Sequence, residues 1–357
     1  MSLTNCTETA ETKVMLALAY IANLGYNIDE GDCRAAGEIS NLIVGQLNSQ
    51  EIVKGDWQLV WGPYVYKFPL IARFRDNTFY VVRNTQDPSR YAVAIAGTNP
   101  CELWDWVLED FMVGHMTHWA YGHAPSAAKI SAAAALSLSI LQNAVPCPGL
   151  PGAGLHLKDF LREAVAGSGG GVSVAVTGHS LGGEMASTAA LWLADTQGGQ
   201  AVRSEVWDPD GKATVSACCF AGPTAGNRHW AAYYDSRLGE RTCRVWNSMD
   251  IVPHAWNTGD LSELPDLYRT GGVKMGLSLK LLVEGIRLKL ELARNDYTQI
   301  IEGQPPLDGK VNTSLPDSYF DQAAYQHVEA YLDLLGLPGL KGTTDCSAQK
   351  AGARQLP

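Results

Sequence analysis

Residues 172–183 read VSVAVTGHSLGG, and no other stretch of the chain constrains its fold as tightly. An apolar, β-branched run leads into the pentapeptide Gly178-His179-Ser180-Leu181-Gly182, and an Ala/Leu-rich run leads out of it. Strand, sharp turn and helix in that order set a serine on a strained corner with its hydroxyl presented. The flanking glycines let two backbone segments pass closely without a Cβ clash. The Gly-x-Ser-x-Gly pattern alone also fits a glycine-rich turn with an exposed serine. The strand before it and the helix after it favour the catalytic alternative, which makes Ser180 the candidate nucleophile.

Strand-like and helix-like runs alternate on both sides of this corner. Residues 78–83 (TFYVVR) and 91–96 (YAVAIA) are apolar β runs joined through Gln86-Asp87-Pro88-Ser89, a hairpin signal. Residues 125–143 are predicted to form a helix with Pro125 in its first turn and an Ala-rich body. Past the corner, 214–220 and 242–246 are predicted strands with a helical stretch, 227–234, between them. Such alternation implies an α/β fold, a mainly parallel central sheet with helices on both faces. The length of 357 residues and the 46% hydrophobic content suit one large domain over 1–357. Its additions would be an N-terminal helical segment (1–55), a helical lid (98–115) and a helical insertion (258–316). The apolar run 14–22 follows Glu8 and Glu11, with Lys13 as the one nearby cation and no clear small-residue cleavage site after it. A signal peptide wants a basic leader, so a buried helix is expected there. The Gly/Ser run at 167–171 precedes a strand instead of following one, so it is a linker and not a phosphate loop.

Composition removes several classes of function. A formal net charge of −10 argues against nucleic acid as a partner, since a phosphate-binding face needs clustered cations. No run of apolar residues is long enough for a transmembrane segment. The eight cysteines show no Cys-x-x-Cys spacing, which weakens zinc and thioredoxin-like readings; no metal or cofactor is expected. Cys218 and Cys219 lie in an apolar strand and are expected in the core. The compartment stays open between cytoplasm and export without a cleaved signal. Residues 272–294 are amphipathic and carry Lys274, Lys280, Arg287, Lys289 and Arg294. They are read as a solvated helix face in preference to a membrane-contacting one.

A serine hydroxyl is a weak nucleophile at neutral pH. It needs a histidine to take its proton and an acid to orient that histidine. On scaffolds with this corner the chain order is Ser, then Asp or Glu, then His. Asp250 is the best acid: it lies just beyond a strand, where α/β active sites form. Asp208, Asp210 and Asp260 are rivals in turn-like sequence. His327, near the C-terminus, is the best base, with His254 and His229 as rivals. His179 is expected to pack and hydrogen-bond.

The tetrahedral intermediate needs backbone donors aimed at its oxyanion. The amide of Leu181 is one candidate, and the amide of Thr98, at the end of the 91–96 strand, is the other. Leu103, Trp104, Val107, Leu108 and Phe111 recur at helical spacing just after Thr98, with Glu102, Asp105, Glu109 and Asp110 on the other face. Such a stripe suits a lid over an acyl-binding cleft and suits equally a surface helix packed on the core.

Taken together, these segments resemble the class 3 lipases, the fungal-type triacylglycerol lipase family. The matching residues are Ala94-Ile95-Ala96-Gly97-Thr98, Trp106 with Asp110, Gly178 to Gly183, Phe220-Ala221-Gly222-Pro223 with Gly226-Asn227, and Asn247 to Pro253. The resemblance spans roughly residues 60–335. It implies an α/β-hydrolase fold, cleavage of lipid carboxylic esters, a triad of Ser180, Asp250 and His327, an oxyanion hole at Thr98 and Leu181, a lid after Thr98, and no metal. Two departures stand out. Ala96 occupies the place where the family often has Arg before Gly-Thr, so a buried ion pair is expected to be missing. The stretch from Asp250 to His327 is longer than the compact family pattern. The expected substrate is an acylglycerol-type lipid ester met at a lipid–water interface. A phospholipase or short-chain esterase is the close alternative, and an inactive interaction protein on the same scaffold is the non-enzymatic one.

Overall fold

The computed structural model describes residues 6–25, 32–66, 77–97, 114–198, 205–316, 318–337 and 339–340. The apolar runs form a six-stranded sheet in the order β1-β2-β3-β6-β7-β8. Its strands are β1 (Trp57–Tyr66), β2 (Asn77–Asn84), β3 (Arg90–Ile95), β6 (Val172–His179), β7 (Ala213–Phe220) and β8 (Thr242–Val245). A separate ribbon pairs β4 (Met116–His118) with β5 (Lys129–Ser131). The first three strands run antiparallel, and β3, β6, β7 and β8 run parallel. Parallel neighbours require crossovers. Helix α5 (Leu181–Asp195) links β6 to β7, and α6 (Arg228–Leu238) links β7 to β8.

Alternation along the strands divides the core into two layers. Val81, Val93, Val174, Val176 and Val215 face one layer with α5, α6, α3 (Ala132–Asn143) and α4 (Leu157–Gly167). Their neighbours Tyr80, Val82, Ala92, Ala94 and Phe220 face the other, which is covered by α1 (Ala10–Ala22) and α2 (Asp32–Ser49). A side-chain period of two makes this division automatic once the register is set. Helix α5 is buried on every side, which explains why its sequence is apolar all round. A third cluster lies beyond the C-terminal ends of the parallel strands. It packs Ile251, Val252, Trp256 and Tyr268 against α7 (Leu277–Ala293) and α8 (Tyr319–His327), which runs on into α9 (Glu329–Leu334).

The helix expected over 125–143 is shorter than its sequence suggests and starts at Ala132. Ser131 caps it by accepting the Ala134 N–H at 2.9 Å. The preceding residues pair instead with Met116–His118, and Asn227 accepts the Lys129 N–H at 3.1 Å. A sequence-distant partner therefore outweighs the local helical preference of Pro125 and the alanines after it. Two disulfides, Cys6–Cys243 and Cys33–Cys147, tie the N-terminal segment and α2 to distant parts of the chain. Nothing in the cysteine spacing announces them. Cys218 and Cys219 are buried free thiols. Among the described residues no helix is long and apolar enough to cross a membrane.

Candidate active site

The corner between β6 and α5 forces Ser180 to φ 63° and ψ −130°. This region is costly for any residue but glycine and is occupied only where the surroundings impose it. Here they do. The Ser180 N–H donates to the Phe220 carbonyl at the end of β7 (2.9 Å), and its own carbonyl accepts the Gly183 N–H (2.8 Å). A Cβ on Gly178 would run into the Gly182 backbone, and one on Gly182 into Ile95 and Ala96. Both glycines of the motif are thus required by close backbone approach at the tightest point of the sheet. Gly97 abuts the same corner, where a Cβ would stand 2.9 Å from that of Ser180. The Asn23 side chain at the end of α1 accepts the Gly97 N–H at 3.0 Å.

Asp250 lies five residues past β8, fully buried. A buried carboxylate is tolerated only with donors around it, and three surround this one. His327 Nδ1 lies 3.0 and 2.9 Å from its two oxygens, the Tyr331 hydroxyl donates to Oδ2 at 2.8 Å, and the Val252 N–H donates to Oδ1 at 3.0 Å. Burial first, and then the Asp250 charge, push the Tyr331 phenol well above its ordinary value, so it stays protonated as a donor. The Tyr331 oxygen in turn accepts the Asn247 N–H at 3.0 Å. The Asn247 side chain donates to the carbonyl of Gln326 (3.0 Å) and to its side-chain oxygen (2.8 Å). Asp250 and His327 are thus clamped from both sides.

His327 ends α8 and is 1% exposed. With Nδ1 committed to Asp250, the proton sits on Nδ1 and Nε2 keeps its lone pair. His179 connects this histidine to the corner. Its Nε2 donates to the His327 carbonyl at 2.7 Å, and the two rings lie 4.7 Å apart. Burial first, then the neighbouring His327, hold the His179 imidazole well below its ordinary range. It is therefore a neutral donor at neutral pH. The Tyr20 ring lies 5.1 Å from that of His179, and the Tyr20 hydroxyl donates to the Val328 carbonyl at 2.6 Å.

Among the described residues, Ser180 Oγ and His327 Nε2 are both buried polar atoms with no hydrogen-bond partner. Leaving a buried polar atom unsatisfied costs about 1–3 kcal/mol. These two atoms lie on residues that His179 links, since it precedes Ser180 and bonds the His327 carbonyl. Leu181 opens α5, where the first N–H groups lack a carbonyl four residues back.

The comparisons with known proteins bear on the same residues. The family model described as lipase (class 3) matches residues 93–259, which span β3, the corner and Asp250. The crystal structure of M37 lipase is 34% identical over 96% of this chain and 98% of that one, with a TM-score of 0.85. The chain belongs to the class 3 lipases. A triacylglycerol lipase from Penicillium expansum is 18% identical over 70% of this chain and 75% of its own, at a TM-score of 0.43. The Rhizomucor miehei lipase in its propeptide complex is 16% identical over 70% and 65%, also at 0.43. No curated protein matches the chain.

The lipase thus brings Ser180, His179, Asp250 and His327 into one buried site. Thr98 and the stripe Leu103, Trp104, Val107, Leu108 and Phe111 lie outside the described residues. The rivals take other places. Asp208 is buried and accepts the backbone N–H groups of Lys212 (3.1 Å) and Ala213 (2.7 Å), a turn-closing role. His229 is exposed. His254 is buried beside Trp246, ring to ring 6.0 Å, and burial holds its imidazole below the ordinary value. Three contributors escaped the sequence: Tyr331, Asn247 and Asn23. Tyr331 and Asn23 lie outside the motifs, and only the fold brings them in. Asn247 opens the Asn247-Ser248-Met249-Asp250 segment, which was its one available signal.

Proposed function

We propose that this lipase cleaves acylglycerol-type lipid esters through a Ser180-His327-Asp250 triad and an acyl-enzyme. The observation that carries this reading is His327, held by Asp250 through Nδ1 with its Nε2 unpaired, in the same buried site as an unpaired serine hydroxyl. Ser180 Oγ attacks the ester carbonyl while His327 Nε2 takes its proton. The negative charge that develops on the carbonyl oxygen is met by the Leu181 N–H and, on the sequence pattern, by that of Thr98. The imidazolium formed is stabilised by Asp250, which is already oriented by Tyr331 and Val252, so little reorganises when charge appears. His327 then returns the proton to the departing glycerol oxygen. Water then attacks the acyl carbon as the same nitrogen takes its proton, and His327 returns that proton to Ser180 Oγ as the acyl–oxygen bond breaks and the fatty acid leaves.

Hydrolysis of matched short- and long-chain glycerol esters, below and above their solubility limits, tests the substrate class. Turnover of long-chain emulsions that vanishes in Ser180→Ala is the expected result. Turnover of soluble short esters alone would make the protein an esterase. Turnover confined to phospholipid would move the substrate to that class.

A further inference from the structure

Helix α7 has two apolar faces, although packing on the protein requires only one. Leu279 and Leu290 are buried, and Leu282, Val283 and Ile286 pack half-buried with them in the third cluster. At 3.6 residues per turn, Leu277, Leu281, Leu288 and Leu292 fall in a sector about 60° wide on the opposite side. They are 74, 66, 52 and 76% exposed. Single exposed leucines are unremarkable in a folded protein, but four in line along about 22 Å of helix form a ridge that water solvates poorly.

The charge around the ridge identifies what covers it. The chain carries a formal −10, yet residues 272–294 hold three more cations than anions. Both anions of that stretch, Glu284 and Glu291, are bonded to Arg287 at 2.5 Å. Lys280 borders the ridge on one side and is exposed, and the exposed Arg294 lies just past its C-terminal end. At its C-terminal end a cleft of about 600 Å³ is lined by Lys129, His229, Arg294 and Glu291, with Arg228 ion-paired to Asp296 at 3.0 Å. A leucine ridge bordered by cations fits a layer of anionic headgroups over acyl chains. A second copy of the chain fits less well, because an isologous pairing would set the positive excess of one helix against that of the other.

We infer that α7 is a lipid-surface anchor, with the four leucines entering an anionic lipid layer and Lys280 and Arg294 at its headgroups. The inference rests on the lipid-ester reading of the site and adds to it a second contact with the lipid phase. The third cluster joins the anchor to the site, since Ile251 and Val252, which follow Asp250 directly, pack in it. A ridge fixed there holds the buried serine at a set depth and orientation relative to the surface.

The test is cosedimentation of the full chain carrying Ser180→Ala with vesicles of phosphatidylcholine, alone or with phosphatidylglycerol. The inactive background separates binding from turnover. The parent is expected to bind the mixed vesicles more tightly than the neutral ones. Leu281→Glu with Leu288→Glu should lower the partition coefficient at least about tenfold. Lys280→Glu with Arg294→Glu should lower it by a similar factor on the anionic vesicles alone, an effect that salt removes. In the active background the leucine variant should hydrolyse a soluble short-chain ester at the parent rate, which establishes that it is folded. A parent that does not bind, or a leucine variant that binds as the parent does, overturns the anchor. So does a parent that elutes as a dimer and becomes a monomer when the leucines are replaced. If the active protein hydrolyses no ester, the catalytic reading fails, and the vesicle result still decides the anchor.

Discussion

Ser180 is the residue on which most of the local structure converges. Its backbone is held in a disfavoured region by the Phe220 carbonyl and the first turn of α5, while its hydroxyl has no partner among the described residues. Stability is thus given up at one position to leave a reactive atom uncommitted. Tyr331 acts one step away by fixing the Asp250 carboxylate. Tyr331→Phe removes one donor and keeps the ring, so kcat on a soluble ester should fall about tenfold with KM nearly unchanged. A KM rise with kcat intact would place Tyr331 in substrate binding instead. The two buried imidazoles, His179 and His254, set a pH dependence of stability. Both are held below the ordinary value of 6.5 by burial, with His327 adding to the effect at His179. Below about pH 6.5 the unfolded chain therefore takes up protons that the folded one refuses. Stability is fully present above that value and falls as the pH drops below it, by up to about 1.4 kcal/mol per pH unit for each imidazole. Urea midpoints measured from about pH 7 to about pH 5 should decline accordingly. A flat profile would mean that these histidines are not held neutral.

Among the elements, α1 has the least expected role. Its sequence reads as a buried apolar helix, and its residues from Met15 to Ala22 are indeed almost wholly enclosed. Its polar contacts could not be read from periodicity: Tyr20 reaches the Val328 carbonyl and Asn23 the Gly97 N–H. Both partners lie in the machinery around the corner. Asn23→Ala should leave the fold intact at a cost of about 1–2 kcal/mol and slow turnover of a soluble ester, because Gly97, which precedes the proposed oxyanion donor Thr98, loses its anchor. Unchanged kcat with the same loss of stability would show the contact to be structural. The corner itself was legible because a strand, a motif and a helix are all local. The helix beginning at Ala132 was misplaced because β5 pairs with a strand eleven residues and more away. Asp250 could be nominated by its place after a strand and His327 by chain order, whereas their clamp of Asn247, Gln326 and Tyr331 spans up to 84 residues and has no sequence period.

At the scale of the whole molecule, the N-terminal segment is held to the sheet by more than packing. Cys33–Cys147 closes a sequence separation of 114 residues and Cys6–Cys243 one of 237. Constraining loops of such length in the unfolded chain contributes on the order of 4 kcal/mol each. Replacing Cys33 and Cys147 together by Ala should lower the urea midpoint by a corresponding amount, and reductant should shift the parent toward the variant. A variant as stable as the parent would mean that the bridge adds nothing to folding. The central proposal joins all three scales: His327 activates Ser180 for attack on the ester. Incubation with an alkyl phosphonate ester, followed by intact-mass and peptide mass spectrometry, tests this most directly. One equivalent of phosphonate on Ser180, with labelling lost in both Ser180→Ala and His327→Ala and kept in His254→Ala, is the predicted result. Labelling at another residue, or at Ser180 independently of His327, would contradict it.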